Sequence, residues 1–228
     1  MSMYLANQHR EATMKTVIFV ILPLIFARIG SAQAIYPISP DTKGNQLVLT
    51  VANESKALDA QGILVQLQKC SSTITFAQTT CSLKAVQAMK ESDVSFRFDV
   101  SRQAKVGAKD TLIFLVTDNT GTSWQKSIIV SYIAPQAYNL EQNFPNPFNP
   151  STMIYYDLPF DSHVKIMVYD ILGREVRKLV DEQEPAGYQK IRFDVQGIAS
   201  GTYFYRIQAE PSKGGKTFMA VKKMMVLK

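Results

Sequence analysis

Residues 94–133 read VSFRFDVSRQAKVGAKDTLIFLVTDNTGTSWQKSIIVSYI, and they decide the fold class. The run 94–100 (VSFRFDV) alternates apolar and polar side chains, while 111–117 (TLIFLVT) and 127–133 (SIIVSYI) are rich in β-branched residues. Alternation at a period of two sends successive side chains to opposite faces of an extended chain, so these runs read as strands with a buried face. Asp118-Asn119-Thr120-Gly121 separates the last two with residues that tolerate the positive φ of a tight hairpin.

Working toward the N-terminus, 46–51 (QLVLTV) and 63–68 (ILVQLQ) continue the pattern, with Asn, Asp, Gly and Ser turns between. Short strands at such spacing predict an antiparallel sandwich or barrel, and no long 3.6-period stretch competes with it. Toward the C-terminus the pattern breaks at Ala134-Pro135-Gln136-Ala137 and again at Phe144-Pro145-Asn146-Pro147-Phe148-Asn149-Pro150. Proline fixes φ and removes a donor, which bars this stretch from a central strand and makes it a boundary with an extended lead-in. A second set of strands follows at 153–158, 163–169, 175–180, 188–194, 202–209 and 217–227, bounded by Pro159, Gly173, Gly187, Gly197 with Gly201, and Gly214-Gly215. The expectation is an all-β chain of two antiparallel β-sandwich domains: 35–133, a lead-in at 134–152, and 153–228.

What precedes residue 35 reads as a targeting segment. Lys15 is followed by an apolar run from Val17 to Ala27 and then by Ala32-Gln33-Ala34, the order of a secretory signal peptide with its A-x-A cleavage site. The run is too short to span a bilayer and carries Pro23, so the mature chain is expected to start at Ile35 without a membrane span. Met1 to Thr13 is polar and precedes a better start at Met14, which reads as a misassigned initiation codon. Export places Cys70 and Cys81 in an oxidising compartment, where a disulfide is the expected pairing. It would contribute up to about 3 kcal/mol in the chain-entropy picture. Two unpaired buried thiols are the alternative.

Composition removes several classes of function. With 46% hydrophobic and 19% charged residues in 228, the chain is not disordered. Two Cys and two His (His9 and His163), in no CxxC or HxxxH spacing, exclude a structural zinc site. The net charge of +6 falls to +4 once residues 1–34 are removed, leaving 22 basic against 18 acidic residues. These are scattered, the densest basic group being Lys222-Lys223 with Lys228, so no nucleic-acid-binding stripe is present.

Catalytic vocabulary is equally sparse. His163 is the one histidine of the mature chain, and there is no GxSxG elbow. Gly214-Gly215-Lys216-Thr217 lacks the first glycine of a phosphate loop, where Glu210 stands. Asp181, Glu182 and Glu184 read as solvated loop charges, Asn53-Glu54-Ser55 as a chance sequon, and Trp124 with Tyr132 as core rather than a glycan-binding face. The expectation is a protein that is not an enzyme and uses no cofactor or metal.

The second half also resembles a known family. Residues 138–152 (YNLEQNFPNPFNPST), 168–176 (VYDILGREV), 199–205 (ASGTYFY) and the ending 222–228 (KKMMVLK) are similar to the type A C-terminal sorting domain of the type IX secretion system. The likeness covers 138–228 in order. It implies an Ig-like sandwich that directs cargo across the outer membrane by engaging a translocon, followed by removal by a surface sortase. Secretion or attachment at the outer-membrane surface would result. The residues carrying it are Pro145, Asn146, Pro147, Phe148, Asn149, Pro150, Gly173, Gly201, Tyr203, Lys222, Lys223 and Lys228. More loosely, 47–53, 96–100 and 112–124 resemble the Ig-like modules that precede such domains in secreted peptidases and surface proteins. That resemblance says little about ligand; the expected role of this first module is adhesion to a surface glycan or protein ligand, with service as an accessory or remnant of a secreted peptidase or other hydrolase as the alternative.

Overall fold

The structure, a computed structural model, describes residues 17–23 and 34–227. Ala32 of the cleavage motif and Lys228 lie outside the described residues. The chain divides into two compact units, residues 1–104 with 109–131, and 105–108 with 132–228.

The first unit contains β1 (Val17–Pro23), β2 (Ile35–Ile38), β3 (Thr42–Ala52), β4 (Ala60–Lys69), β5 (Ile74–Phe76), β6 (Thr80–Val86), β7 (Glu91–Val100), β8 (Lys109–Thr117) and β9 (Ser123–Tyr132). They form two sheets, ordered β1-β3-β7-β5 and β2-β9-β8-β4-β6. The alternation in the sequence becomes the core directly: Phe96 and Phe98 of β7 and Leu112 and Phe114 of β8 are buried, as are Leu47 and Leu49 of β3. Strands β5 and β6 have no counterpart in the sequence reading. They are short, and ITF and TCSLKAV offer few consecutive apolar residues because each lies at a sheet edge. The apolar run read as a leader forms β1, parallel to β3 from Val17↔Gln46 to Pro23↔Ala52.

The expected Cys70–Cys81 disulfide is not formed; both thiols are free. Cys81 stands opposite Val65 in the β4–β6 pairing, whereas Cys70 follows the end of β4 at Lys69. Roughly 15 Å of extended chain therefore lies between them, and a bridge needs Cα atoms within about 7 Å. Cys70 Sγ instead donates to the Ile74 carbonyl at 3.8 Å and Cys81 Sγ to the Ser95 carbonyl at 3.4 Å. The alternative of two buried thiols fails as well, since Cys70 is exposed and Cys81 half-buried.

The second unit contains β10 (Asn139–Leu140), β11 (Ser151–Leu158), β12 (Ser162–Tyr169), β13 (Glu175–Glu184), β14 (Gly187–Asp194), β15 (Gly201–Pro211) and β16 (Phe218–Val226). Its sheets are β10-β11-β14 and β13-β12-β15-β16. Ile154, Tyr156, Val164, Ile166, Phe193 and Ile207 are among the residues that close the core between them. At the β12–β13 hairpin, Asp170 Oδ1 accepts from the amides of Leu172 and Arg174 at 2.8 and 3.0 Å, and Gly173 takes the positive φ of 76° that the turn requires.

Asp181, Glu182 and Glu184 lie on β13 rather than in a loop. The strand reaches Glu184 because Ser162 of β12 pairs with it and the Tyr156 hydroxyl donates to Glu184 Oε1 at 2.8 Å. Glu184 Oε2 is buried with no partner among the described residues, and burial pushes this carboxyl above its ordinary value. A raised carboxylate pKa means that the folded state holds the proton more tightly than the unfolded chain. Stability from this group is full below the unfolded value of 4.5 and declines as pH rises through the folded one. The Glu184→Gln variant should therefore gain stability relative to the native chain as pH rises above the unfolded value of 4.5. Urea midpoints across that range check it, and a pH-independent difference would show that Glu184 titrates normally.

Candidate functional site

The strand that ends the chain, β16, pairs with β15 on one side, from Ala209↔Phe218 to Gly201↔Val226. Among the described residues its other side faces no full strand. The lead-in residues 138–148 run beside it and tie it down instead.

The ties accumulate along β16. At its start the Tyr138 ring stacks on Phe218, with centroids 5.3 Å apart and planes inclined by 10°. Farther on, the side-chain amides of Gln142 and Asn146 donate to the Lys223 carbonyl at 2.7 and 3.4 Å, and the Met225 amide donates to Asn146 Oδ1 at 2.9 Å. At the end the Phe148 amide donates to the Met225 carbonyl at 3.1 Å and the Leu227 amide to the Phe148 carbonyl at 3.0 Å. These are the outward backbone groups of an edge strand, which would otherwise stay open to pairing.

The proline spacing explains why the lead-in does this. Pro145, Pro147 and Pro150 carry no amide hydrogen, so the chain cannot extend the sheet as a regular strand. Phe148, between Pro147 and Asn149-Pro150, is free to pair, and its ring enters the core at 2% exposure, 5.9 Å from Phe193. Pro145, Asn146, Pro147, Asn149 and Pro150 are exposed around it.

Beneath the lead-in lies a polar network. The Tyr205 hydroxyl donates to the Glu141 carbonyl at 2.7 Å and accepts the Asn143 amide at 2.8 Å. The buried Asn143 side-chain amide donates to the Pro145 carbonyl at 3.1 Å and to Thr152 Oγ1 at 3.0 Å. Burial pushes the Tyr205 phenol up to about 12, so it stays protonated and able to donate throughout the physiological range.

Of the residues singled out in the sequence, Asn146 and Phe148 meet Lys223 and its neighbours, while Lys222 is half-buried and Lys223 exposed. Gly173 lies in the β12–β13 turn, apart from this contact. Gly201 begins β15 opposite Val226, and Tyr203 reaches back to donate to the Ala199 carbonyl at 3.0 Å. Ala34 is described without belonging to a strand. Glu141, Gln142, Asn143 and Tyr205 lie within the stretches 138–152 and 199–205 that carry the family resemblance, but the sequence did not pair them with one another. The signal available was Tyr205 itself: a tyrosine on the inward phase of an alternating strand needs a partner for its hydroxyl.

The remaining candidates are structural. His163 Nε2 lies 3.0 Å from Asp181 Oδ1, which sits beside Lys178 on an exposed surface. The Lys178 and His163 hydrogen bonds hold the Asp181 carboxyl below its ordinary value. The Asn53 side-chain amide donates to the Leu58 and Val86 carbonyls at 2.8 and 2.9 Å, which occupies the nitrogen that a glycan would need. Tyr132 is buried, and Trp124, at the other end of β9, is half-buried roughly 26 Å along the strand. They share the inward side of β9 but lie too far apart to form one binding face.

Residues 142–222 match the family model described as the secretion system C-terminal sorting domain. No curated protein matches the chain at a significant level. Among solved structures, the chain is similar to dimeric latent PorU from Porphyromonas gingivalis, at 16% identity and a TM-score of 0.33 over 88% of this chain and 19% of that one. It is also similar to the calcium-binding domain CBD12 of CALX1.1, at 9% identity and a TM-score of 0.37 over 82% and 79% of the two chains. Protocadherin Gamma B2 extracellular cadherin domains 3–6 give 10% identity and a TM-score of 0.33 over 86% and 46%. The chain thus spans about a fifth of the PorU length.

Proposed function

We propose, from the premise that the C-terminal region of this chain is a type IX secretion system C-terminal sorting domain, that the protein is cargo for that system. The sorting domain directs it across the outer membrane, and the observation that carries this reading is the family match over residues 142–222, which takes in Gln142, Asn146 and Phe148 of the lead-in and most of β16. On this reading residues 1–34 are an export leader removed before Ile35, and a sortase separates the sorting domain at the cell surface. The first sandwich is then the payload: a non-enzymatic module for binding a surface glycan or protein.

The physical rationale is that the translocon reads a folded, chemically distinctive end. β16 presents exposed Met219, Val221, Met225 and Leu227 alternating with inward residues, and places Lys223 among them. Deleting residues 221–228 removes all of that face but Met219, together with the ties that Gln142, Asn146 and Phe148 make to β16. In a bacterium with a type IX system, the full chain is expected in the culture medium or on the cell surface, and the truncated chain in the periplasm. Equal export of both would overturn the sorting role. Recovery of the secreted chain bound to glycan or matrix supports the payload reading, whereas constant co-purification with a hydrolase would replace it with an accessory role.

A further inference from the structure

Two turns of this chain are built alike and filled differently. In 118–122 and in 170–174 an aspartate Oδ1 accepts the amides two and four residues on, at 2.9 and 3.0 Å in the first turn and at 2.8 and 3.0 Å in the second. In both, the fourth residue is a glycine at positive φ, 85° at Gly121 and 76° at Gly173. Aspartate and glycine set the geometry, and the two residues between them are free to vary. The first turn places the polar pair Asn119-Thr120 there, exposed to solvent. The second places Ile171-Leu172 there, each 71% exposed. The fold does not account for that pair, since the turn forms without apolar residues and these bury little.

The end of the second unit from which this turn projects is also distinctive in charge. Tyr169, the last residue of β12, pairs with Phe204, and Gly201 of β15 pairs with Val226, so the turn leaves the sandwich at the end where β16 finishes. Leu227, 50% exposed, lies at that end two strand spacings to the side, about 10 Å away. Segments 169–178, 201–206 and 221–227 hold six bases (Arg174, Arg177, Lys178, Arg206, Lys222 and Lys223) against Asp170 and Glu175, a net of +4. Segments 157–163, 181–184 and 208–216, at the opposite end, hold six acids against Lys213 and Lys216, a net of −4. The apolar turn thus stands on the basic end of a unit whose other end is acidic.

We propose that this end of the second unit docks on a bilayer with anionic headgroups, with Ile171 and Leu172 entering the apolar boundary and the bases behind them meeting headgroup phosphates. The charge asymmetry selects an anionic surface and orients the unit on it. The narrowness of the turn selects lipid over protein, because a stable protein interface takes about 800 Å² from each partner and two side chains on one turn supply far less. An apolar element lying at a membrane surface sinks about 5–10 Å into the headgroup boundary. Two residues of extended chain span about 7 Å. With the turn at that depth, the level of Tyr169 and Phe204, where Lys223 stands opposite Phe204, lies among the headgroups. Salt at about 0.1 M still leaves charges felt over about 10 Å, so these bases act on the surface. Stable anchoring of this shallow kind takes an apolar insertion and a basic patch together, and this end carries both. The docking goes beyond the sorting role and does not depend on it.

The test uses chain 35–228, which lacks the apolar 17–27 run that would insert in place of the turn. The core of the second unit is drawn wholly from residues 138–226, so this shortening leaves it intact. The chain is expected to sediment with vesicles of equal parts phosphatidylglycerol and phosphatidylcholine, and at least about tenfold less with phosphatidylcholine alone. Ile171→Ser combined with Leu172→Ser keeps Asp170 and Gly173, so the urea midpoint should stay in place while partition onto the anionic vesicles weakens at least about tenfold. Lys223→Gln should weaken it about fivefold, the loss of one charge near an anionic surface. Leu172→Trp puts an indole on the turn, and its emission should move to the blue on anionic vesicles and not on neutral ones. No binding to anionic vesicles, equal binding to neutral ones, or binding undiminished by the serine pair would each overturn the proposal. Loss of export by the serine pair in a chain that binds no vesicle would overturn it as well, and would assign the turn to a protein of the secretion machinery.

Discussion

Replacing Phe148 by alanine is expected to destabilise the C-terminal sandwich by about 3–5 kcal/mol, the usual range for emptying a buried phenylalanine site. The ring is 2% exposed and packs against Phe193, so its removal leaves a cavity at the end of the core. A domain of this size is stable by about 5–15 kcal/mol, so the loss is a large fraction of the total. The effect should also be local before it is global. The Phe148 amide and carbonyl hold Met225 and Leu227, and with the ring gone that backbone loses its anchor, leaving Met225 to Asn146 Oδ1 and its pairing with Thr202. Amide exchange at 225–227 should therefore accelerate more than exchange in β12, which is central to its sheet. Asn149→Ala, one residue away and exposed, is the control and should shift the urea midpoint little. If the two variants behave alike, Phe148 is not the anchor of the C-terminal strand.

Phe148 also shows where sequence reading succeeds and where it stops. Prolines at 145, 147 and 150 announced a segment that could not be a regular strand, but not which of its phenylalanines is buried: Phe148 is, whereas Phe144 beside Pro145 is exposed. What Phe148 packs against is not local information: the contacts to Met225 and Leu227 close over most of the domain. The strands that were legible, such as β7, β8, β11 and β15, have interior positions where alternation is enforced by a buried face. Edge strands β5 and β6 lack that constraint, and their sequences show it. The polar network around Asn143 was illegible because Tyr205 donates to a backbone carbonyl, which leaves no complementary residue type to find. The cysteine pairing failed for a related reason: a count of two and an oxidising compartment say nothing about the β4–β6 register, which sets the thiols far apart. Neither sandwich could reveal its ligand in this way, since binding faces follow no periodicity.

The second large effect is expected in the first sandwich, at Phe114. Its side chain is fully buried, 5.1 Å from the Phe96 ring and 6.2 Å from that of Phe76, which in turn lies 5.4 Å from Phe98. Four phenylalanines from β5, β7 and β8 thus meet between the two sheets, and Phe114 contributes the β8 side of that contact. Phe114→Ala should cost about 3–5 kcal/mol for the cavity, including about 0.5–1.5 kcal/mol for each lost ring pair. Phe114→Leu retains most of the volume and should cost clearly less, which separates packing from aromatic geometry. Because the two compact units have separate cores, calorimetry of the processed chain should show two transitions. Phe114→Ala should lower the first-sandwich transition by on the order of 10–20 °C and leave the other in place, while Phe148→Ala should do the reverse. A single transition moved by both variants would mean that the cores unfold as one, and the first sandwich could then not be treated as a payload separable from its sorting domain.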